Sequence, residues 1–347
     1  MIRKKILLLA PNFYSLHKAI INELESQNFD VTYIPDKVQN FNPNFSTSPF
    51  RCIKKLYYKF FNPNYKYIKS IENQWEGYYD IILVINGYCF HEYIINSLRI
   101  RNPQIKTILY LWDGLNFYNF SLNFKYFNSI YTFDSADAKK YDIKLQPLFW
   151  VNNINNQTVK YDLCFIGTSH SDRSCILEKI IKQCSEQNIS NFIKLVVKKR
   201  NISKLDYLRY QYHNHKTNPN SKGFINDYLF LLGKKRESFL TTTALTSNEY
   251  EAKINESKCI LDIELPYQSG ITHRTIESLA RKKKIITTNK SVKDYPFYNP
   301  KNIYVINRNN PFINKEFIDS DYVNIPNIEN YINSLNIKEW IKKILEI

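Results

Sequence analysis

The sequence contains no apolar run long enough to cross a lipid bilayer. A membrane-spanning helix needs about 20 consecutive apolar residues, and the apolar runs in this chain of 347 residues are much shorter. The opening MIRKKILLLAP is also too short and too soon polar for a secretory signal peptide, and predicts a first strand instead. We therefore expect a cytosolic protein.

The sequence also lacks paired cysteines. Its six cysteines, at positions 52, 89, 164, 175, 184 and 259, form no CxxC pair. Cys164 and Cys259 lie inside apolar runs of strand length, so we interpret the cysteines as reduced core residues. His213 and His215 have no third metal ligand nearby. The pattern therefore indicates neither a disulfide framework nor a zinc site.

Glycine is scarce, with seven residues in the whole chain. Four of them, Gly87, Gly114, Gly167 and Gly270, fall just after predicted strands. In open α/β sheets ligands bind at the carboxyl ends of strands, where glycine lets the backbone approach closely. The placement predicts two ligand-binding clefts, although strand ends also need glycine simply to turn.

Strand and helix patterns alternate along almost the whole chain. Strands are predicted at 5–10, 29–34, 79–85, 105–111, 129–133, 161–166, 192–197, 259–263, 285–288 and 302–306, and helices at 16–26, 91–98, 173–186, 271–281 and from 337 onward. This alternation predicts an α/β fold with parallel sheets. Residues 203–250 show no clear pattern, and 213–223 (HNHKTNPNSKG) are typical of a mobile loop.

The length favours two domains, because one ordinary core does not grow to this size. The polar stretch VNNINNQTVK follows Trp150 and has no apolar period, which is typical of a linker. We expect domains at 1–150 and 151–347, and leave open that the final helix packs back on the N-terminal domain.

Lys and Arg exceed Asp and Glu by 16 charges, in a chain also rich in Asn, Ile and Tyr. This excess of positive charge suits a nucleic-acid, anionic-membrane or phosphorylated-substrate partner. The densest cluster, residues 51–69 (RCIKKLYYKFFNPNYKYIK), interleaves basic and aromatic residues. Such a segment can lie on an anionic membrane surface. The alternative is a basic helix and loop that cover the flank of the domain.

Residues 259–289 (CILDIELPYQSGITHRTIESLARKKKIITTN) predict a strand, a glycine turn, a helix and a second strand. The amides at such a helix N-terminus suit a phosphate beside Ser269, Gly270 and Thr272. Glu277 lies five residues beyond Thr272, about 7.5 Å along the helix axis, which suits the ribose of the same nucleotide. An ordinary solvated helix is the alternative.

Several segments resemble those of a known family. They are ILYLWDG (108–114), YTFDSADAKKYDIKLQPLFW (131–150), YDLCFIGTSHSDR (161–173) and LDIELPYQSGITHRTIESLARKKKIITTN (261–289). In order and spacing they resemble GT-B glycosyltransferases, and more narrowly the CgeB-like, group 1 transferases of bacterial lipopolysaccharide and capsule biosynthesis. The resemblance implies two facing Rossmann-like domains, a nucleotide-sugar donor bound by the second and a glycan or glycolipid acceptor bound by the first.

The resemblance also assigns donor-binding residues. Glu277 matches the family's ribose-binding acid. Gly270 and Thr272 match its phosphate-binding turn, and Ser269 and Arg274 lie beside them in sequence. Gly167 and Thr168 match the turn that begins the donor domain. Many members carry a second acid eight residues before the ribose-binding one, where this chain has Ser269. The departure weakens any assignment of a retaining mechanism. No cofactor and no metal in the site are implied.

Two residues are candidates for the general base that an inverting transferase needs. Asp113 comes first because it follows a predicted strand, between Trp112 and Gly114, although a plain turn residue fits the same position. His17 comes second, because it lies near the turn after the first strand. The alternative is that His17 is a surface residue of the first helix without a catalytic role. Lys198, Lys199 and Arg200 follow another strand and can neutralise a diphosphate, as can His170 and Arg173.

The acids of DSAD (134–137) are three residues apart, so we interpret Asp134 or Asp137 as a helix cap rather than part of a metal-binding DxD.

Taken together, the sequence predicts a glycosyltransferase that acts on a surface polysaccharide, lipopolysaccharide or capsule acceptor, with peripheral attachment to the inner membrane left open. The alternatives are a nucleotide-sugar epimerase of the same fold and a basic nucleic-acid-binding protein. The chain has no recognisable nucleic-acid-binding module, so no nucleic-acid partner is expected.

Overall fold

The computed structural model describes residues 3–13, 15–37, 51–151, 157–198, 203–214 and 219–347. The chain divides into two compact units. The first unit comprises Met1–Val151 together with Ser334–Ile347, and the second comprises Asn152–Asn333. The final helix thus belongs to the first unit.

The first unit alternates strands and helices. Its strands are β1 (Lys4–Ala10), β2 (Phe29–Pro35), β3 (Ile81–Ile85), β4 (Lys106–Leu111), β5 (Ser129–Thr132) and β6 (Lys144–Leu145). Its helices up to the unit boundary are α1 (Leu16–Ser26), α2 (Arg51–Phe61), α3 (Pro63–Ser70), α4 (Glu72–Trp75), α5 (Glu92–Arg101) and α6 (Ser135–Tyr141), with a short 3-10 helix at Ser121–Tyr126.

The second unit repeats this alternation. Its strands are β7 (Tyr161–Thr168), β8 (Asn191–Val196), β9 (Leu240–Thr241), β10 (Ser257–Asp262), β11 (Lys284–Thr287) and β12 (Ile303–Val305). Its helices are α7 (Arg173–Glu186), α8 (Lys204–Asn214), α9 (Pro219–Leu231), α10 (Ser247–Asn255), α11 (His273–Ala280), α12 (Lys315–Asp319) and α13 (Pro326–Asn333), with a 3-10 helix at Lys290–Asp294. The last helix of the chain, α14 (Ile337–Leu345), lies in the first unit.

Each unit contains one sheet of six parallel strands. The order is β2-β1-β3-β4-β5-β6 in the first unit and β12-β11-β10-β7-β8-β9 in the second. The second order is that of a Rossmann fold, and both orders reverse direction at one point, between β1 and β3 or between β7 and β10. The predicted α/β class with two Rossmann-like, parallel-sheet domains is therefore confirmed.

Buried apolar strands explain why the sheets form. All five residues of β3 are buried, and β4 is buried from its second residue onward. Strands that are buried on both faces read as continuous apolar runs, as expected between two layers of helices. In the first unit the two faces carry two separate core clusters, one built on Ile6 and Leu8 and the other on Leu7 and Leu9.

The sequence located most elements closely. The predicted helices at 16–26 and 173–186 coincide with α1 and α7. The predicted loop at 213–223 is wrong in part, because α8 runs to Asn214 and α9 begins at Pro219. Gly167 lies inside β7 rather than after it. The six cysteines are free, and four are buried, but Cys52 is exposed on α2 and is therefore no core residue.

Helix α14 completes the core of the first unit. Trp340 is fully buried, and its ring packs against Tyr110 of β4 and Phe149, with both pairs of ring centroids 4.8 Å apart. The helix is anchored at its start by the amide of Ile337, which donates to the carbonyl of Trp150 at 2.9 Å. The apolar face of the last helix thus has its partner in the first unit.

We expect Trp340→Ala to destabilise the first unit by about 3–5 kcal/mol, because truncating a buried tryptophan removes apolar contact and leaves a cavity. Denaturant unfolding, followed by far-UV circular dichroism, measures the loss. Lys338→Ala, one exposed position on the same helix, is the matched control and should change stability by less than about 0.5 kcal/mol. Equal stability of the two variants would show that α14 is dispensable to this core.

Candidate functional site

Asp113 lies at the carboxyl end of β4, next to the end of β3. One of its carboxylate oxygens, Oδ2, accepts hydrogen bonds from the Asn86 side-chain amide at 2.7 Å and from the Tyr88 hydroxyl. The Asn86 side chain in turn accepts from the backbone amides of Trp112 and Asp113, at 2.9 and 3.2 Å. Among the described residues, no hydrogen bond to the other oxygen, Oδ1, is formed.

This arrangement fixes the Asp113 carboxylate and leaves it basic. Burial raises the pKa of Asp113, while the hydrogen bonds from Tyr88 and Asn86 act in the opposite direction. A half-buried carboxylate with a raised pKa and one free oxygen is suited to accept a proton from a hydroxyl. Asp113 therefore stays the first candidate for the general base.

The turn that holds Asp113 depends on left-handed backbone at Asn86 and Gly87, with φ of 62° and 79°. A Cβ at Gly87 would come within 2.8 Å of the Phe120 ring, so glycine is required there both by its backbone conformation and by the space available.

A second buried acid, Asp36 after β2, accepts hydrogen bonds from the amides of Tyr88 and Cys89 at 2.8 and 2.6 Å. Burial raises the pKa of Asp36 to about 6.

His17 is buried rather than on the surface of α1. Its ring stacks on Tyr33 of β2 with centroids 5.1 Å apart, and its Nδ1 has no hydrogen-bond partner among the described residues. Burial, with Lys18 nearby, lowers the pKa of His17. The imidazole is therefore neutral at pH 7, and its surroundings are those of a packed core residue.

In the second unit, Arg274 spans the point where the strand order reverses. Its Nη1 pairs with Asp262 at the end of β10 at 2.7 Å, and its Nη2 donates to the carbonyl of Ile166 in β7 at 2.7 Å. Its guanidinium also lies over the Phe165 ring, 5.0 Å from the centroid. Arg274 thus joins the two strands that flank the predicted ligand crevice.

Two further arginines line the same edge. Arg173 donates to the carbonyl of Thr168 at 2.7 Å and to that of Ile263 at 3.1 Å. Arg308 pairs with Asp172 at 2.6 Å and with Glu264 at 2.8 Å. Each guanidinium is already engaged by the chain's own oxygens, so these arginines hold the loops after β7 and β10 in place.

The positive charges of these arginines affect the pKa of His170. Burial, followed by the charges of Arg173, Arg308 and Arg274, lowers the pKa of His170 to about 2. The imidazole is therefore neutral at pH 7 and cannot neutralise a diphosphate by charge, which corrects that expectation. A phosphate placed here would still experience the surrounding guanidinium groups.

Helix α11 (His273–Ala280) begins close to the predicted start at residue 271. Thr272 is its N-cap, and the Thr272 hydroxyl accepts from the amide of Thr275 and donates to Asp262 at 2.9 Å. The carbonyl of Gly270 accepts from the Asn289 side chain at 3.0 Å, so the turn is tied to the end of the next strand. A helix N-terminus carries a partial positive charge, which suits a phosphate.

Glu277 lies in the second turn of α11 and is ionised. Its carboxylate is 3.4 Å from Nδ1 of His273, and 12% of its side chain is exposed. Burial would raise the pKa of Glu277, but His273, Arg281 and Arg274 outweigh burial and hold it below the usual range. Such a carboxylate can accept hydrogen bonds from two vicinal hydroxyls.

The structure gathers Gly167, Thr168, Thr272 and Arg274 around the end of β7 and the start of α11, with Ser269 and Gly270 in the preceding turn. Lys199 and Arg200 lie outside the described residues, and Lys198 is exposed. Asp134 is the N-cap of α6, as expected, with its carboxylate accepting from the amides of Ala136 and Asp137.

Sequence patterns alone missed the acids and amides that hold these groups in place. Asp262 is the last residue of β10, and Asn86 follows β3 directly. A polar residue at the carboxyl end of a buried strand is the signal that would have found both. Tyr88 and Arg308 carry no comparable signal, because Tyr88 binds Asp113, 25 residues away, and Arg308 binds Asp172, 136 residues away.

Within the described part of the chain, no cluster of three or more His, Cys, Asp or Glu residues is arranged to hold a metal ion. No described helix is both long and apolar enough to cross a membrane.

Comparison with known proteins yields structural likenesses only. No protein-family model matches the chain, and no curated protein matches it in sequence. A solved structure of UDP-GlcNAc 2-epimerase from Neisseria meningitidis bound to UDP-GlcNAc is similar at 11% identity and a TM-score of 0.45, over 99% of this chain and 98% of that one. MurG from Acinetobacter baumannii is similar at 9% identity and a TM-score of 0.37, over 99% and 94%. Because these values are low, function must be sought in the residues of the two units.

Proposed function

We propose that the protein is a GT-B-type glycosyltransferase that takes its nucleotide-sugar donor in the second unit and its acceptor in the first. The observation that carries this proposal is Glu277, an ionised and partly accessible carboxylate on the helix that begins at the strand reversal of the second unit. Open α/β sheets bind nucleotides at that point. The helix start suits the diphosphate and Glu277 suits the ribose.

The first unit supplies the chemistry in this proposal. Asp113 removes the proton from an acceptor hydroxyl through Oδ1, while Tyr88 and Asn86 hold Oδ2 and so orient the carboxylate. The leaving diphosphate is stabilised by the amides at the start of α11 and by the guanidinium field around them. No metal or cofactor is required by this scheme.

The proposed acceptor is a glycan or glycolipid of the lipopolysaccharide or capsule type, presented at the cytoplasmic face of the inner membrane. Helix α2 supports this location. Its apolar residues recur at i, i+3, i+4, i+7 and i+8, and all are exposed: Ile53 64%, Leu56 58%, Tyr57 36%, Phe60 73% and Phe61 50%. Exposed Lys55 and Lys59 accompany them. Such a helix is suited to lie in an anionic headgroup layer.

A panel of nucleotide sugars, including CMP-linked Kdo, tests the overall proposal. Transfer to a lipid-extract acceptor, with release of nucleotide, is the expected result. Release of a free or epimerised sugar that needs no acceptor would instead indicate the epimerase alternative.

Glu277→Ala should weaken nucleotide binding by about 1.5–3 kcal/mol, the range for a hydrogen bond to a charged group. Calorimetry with UDP, GDP and CMP measures the change for whichever nucleotide binds. Glu186→Ala, which removes an exposed acid from the far end of α7, is the control and should bind normally. Unchanged affinity in Glu277→Ala would remove this residue from the site.

Asp113→Asn should lower turnover by about 10²- to 10⁴-fold, because the amide keeps the shape but cannot act as a base. Nucleotide affinity should stay the same. In the unmodified enzyme, turnover should fall at acidic pH as Asp113 is protonated, and the raised pKa brings this fall to a higher pH than for an exposed aspartate.

Asp142→Asn is the matched control for this step, since Asp142 is exposed in the same unit and its left-handed backbone is one that asparagine tolerates. Near-normal transfer by a folded Asp113→Asn protein would show that Asp113 is a turn residue and not the general base. His17 would then be the next candidate.

Replacing Lys54, Lys55 and Lys59 by Gln should weaken binding to anionic vesicles by about 1 kcal/mol per charge, and added salt should weaken it further. Vesicle co-sedimentation measures both effects. Lys18, Lys139 and Lys140, exposed on α1 and α6, give a control with the same loss of charge. Binding that is equally strong on neutral vesicles would argue against an electrostatic contact.

A further inference from the structure

Helices α8 and α9 pack against each other through stacked rings in the second unit. Tyr207 stacks on Tyr228 with centroids 4.5 Å apart, and Tyr210 stacks on Phe224 with centroids 3.9 Å apart. These contacts fix which side of α8 meets its neighbour. They leave the side that carries residues 204, 205, 208, 209 and 212 facing away from α9.

That side of α8 is apolar and basic, and it is exposed. Leu205 is 75% exposed, Leu208 58% and Tyr212 64%, at a spacing of i, i+3 and i+7 that places them in one stripe. Lys204 and Arg209 lie on the same side and are also exposed. Two leucines and a tyrosine are thus displayed together instead of being buried.

The charges on this surface select its partner. Neither Asp nor Glu occupies any of the five positions, and the acid of this helix, Asp206, accepts a hydrogen bond from the hydroxyl of Ser203 at 2.8 Å. In sequence the helix is preceded by Lys198, Lys199 and Arg200. Apolar side chains flanked by cations, with a tyrosine among them, suit the boundary between anionic headgroups and acyl chains.

We propose that the α8 surface, residues 204, 205, 208, 209 and 212, binds an anionic lipid bilayer. This gives the second unit a membrane contact of its own, in addition to the one proposed for α2 in the first unit. It rests on the membrane location in the proposed function and is independent of the donor chemistry. Lys204 and Arg209 contact lipid phosphates, and the two leucines enter the acyl boundary.

An environment-sensitive dye on the full-length protein tests the contact directly. Cys52 is the exposed cysteine of α2, so Cys52→Ser removes that labelling site and Tyr212→Cys places one on α8. With vesicles containing phosphatidylglycerol, the emission of the dye at 212 should increase and shift to the blue. Ser185→Cys, exposed on α7, is labelled in the same background and should not respond.

The charge dependence provides the second test. Lys204→Gln and Arg209→Gln should each lower the partition onto phosphatidylglycerol vesicles about 5-fold, equivalent to about 1 kcal/mol per charge. Lys293→Gln and Lys301→Gln, exposed elsewhere in the same unit, are the matched controls and should have little effect. Nucleotide affinity should be unchanged in all four variants.

Three results would overturn the proposal. The first is a dye at 212 whose emission does not change on phosphatidylglycerol vesicles. The second is an equal response on phosphatidylcholine alone, and the third is normal partition of the Lys204 and Arg209 variants. Loss of nucleotide binding by the Glu277 variant is a separate outcome, so failure of the membrane contact and failure of the donor site can be told apart.

Discussion

The ion pair between Arg274 and Asp262 holds together the part of the second unit on which its chemistry depends. Arg274 bridges β10 and β7, the two strands at the reversal of strand order, by binding one through a carboxylate and the other through a carbonyl. Asp262 also accepts from Thr272 and Thr275, so the same carboxylate sets the start of α11. Removing one partner would leave an uncompensated buried charge. The crevice, the helix start and Glu277 therefore share one electrostatic anchor.

In the first unit, neutral groups join the ends of β3 and β4. Asn86 accepts from two amides after β4 and donates to Asp113, while Tyr88 adds its hydroxyl. This network fixes the carboxylate without pairing it with a cation, and burial, which outweighs the hydrogen bonds from Tyr88 and Asn86, raises the pKa of Asp113. The carboxyl ends of the strands thus carry guanidinium groups in the second unit and a basic carboxylate in the first.

The sequence was sufficient for the elements that periodicity and local capping determine. Helix α1 and helix α7 were located to the residue, and the turn from β10 into α11 was found from Gly270 and Thr272. It was insufficient where distant segments meet. Nothing local shows that His17 stacks on Tyr33 or that Asp36 binds the amides after β3. The packing of α8 against α9 was not foreseen, since the stacked rings belong to two different helices. Residues 203–250 showed no clear pattern, and 213–223 were predicted as a loop.

The membership of α14 in the first unit has a consequence for how the protein is made. The core around Tyr110 and Phe149 lacks Trp340 until the ribosome has synthesised the entire second unit. Because domains generally fold as they emerge, the second unit can reach its native state while the first still exposes apolar surface on one face of its sheet. The first unit, although most of it is synthesised first, therefore cannot complete this core before residues 337–345 have been synthesised.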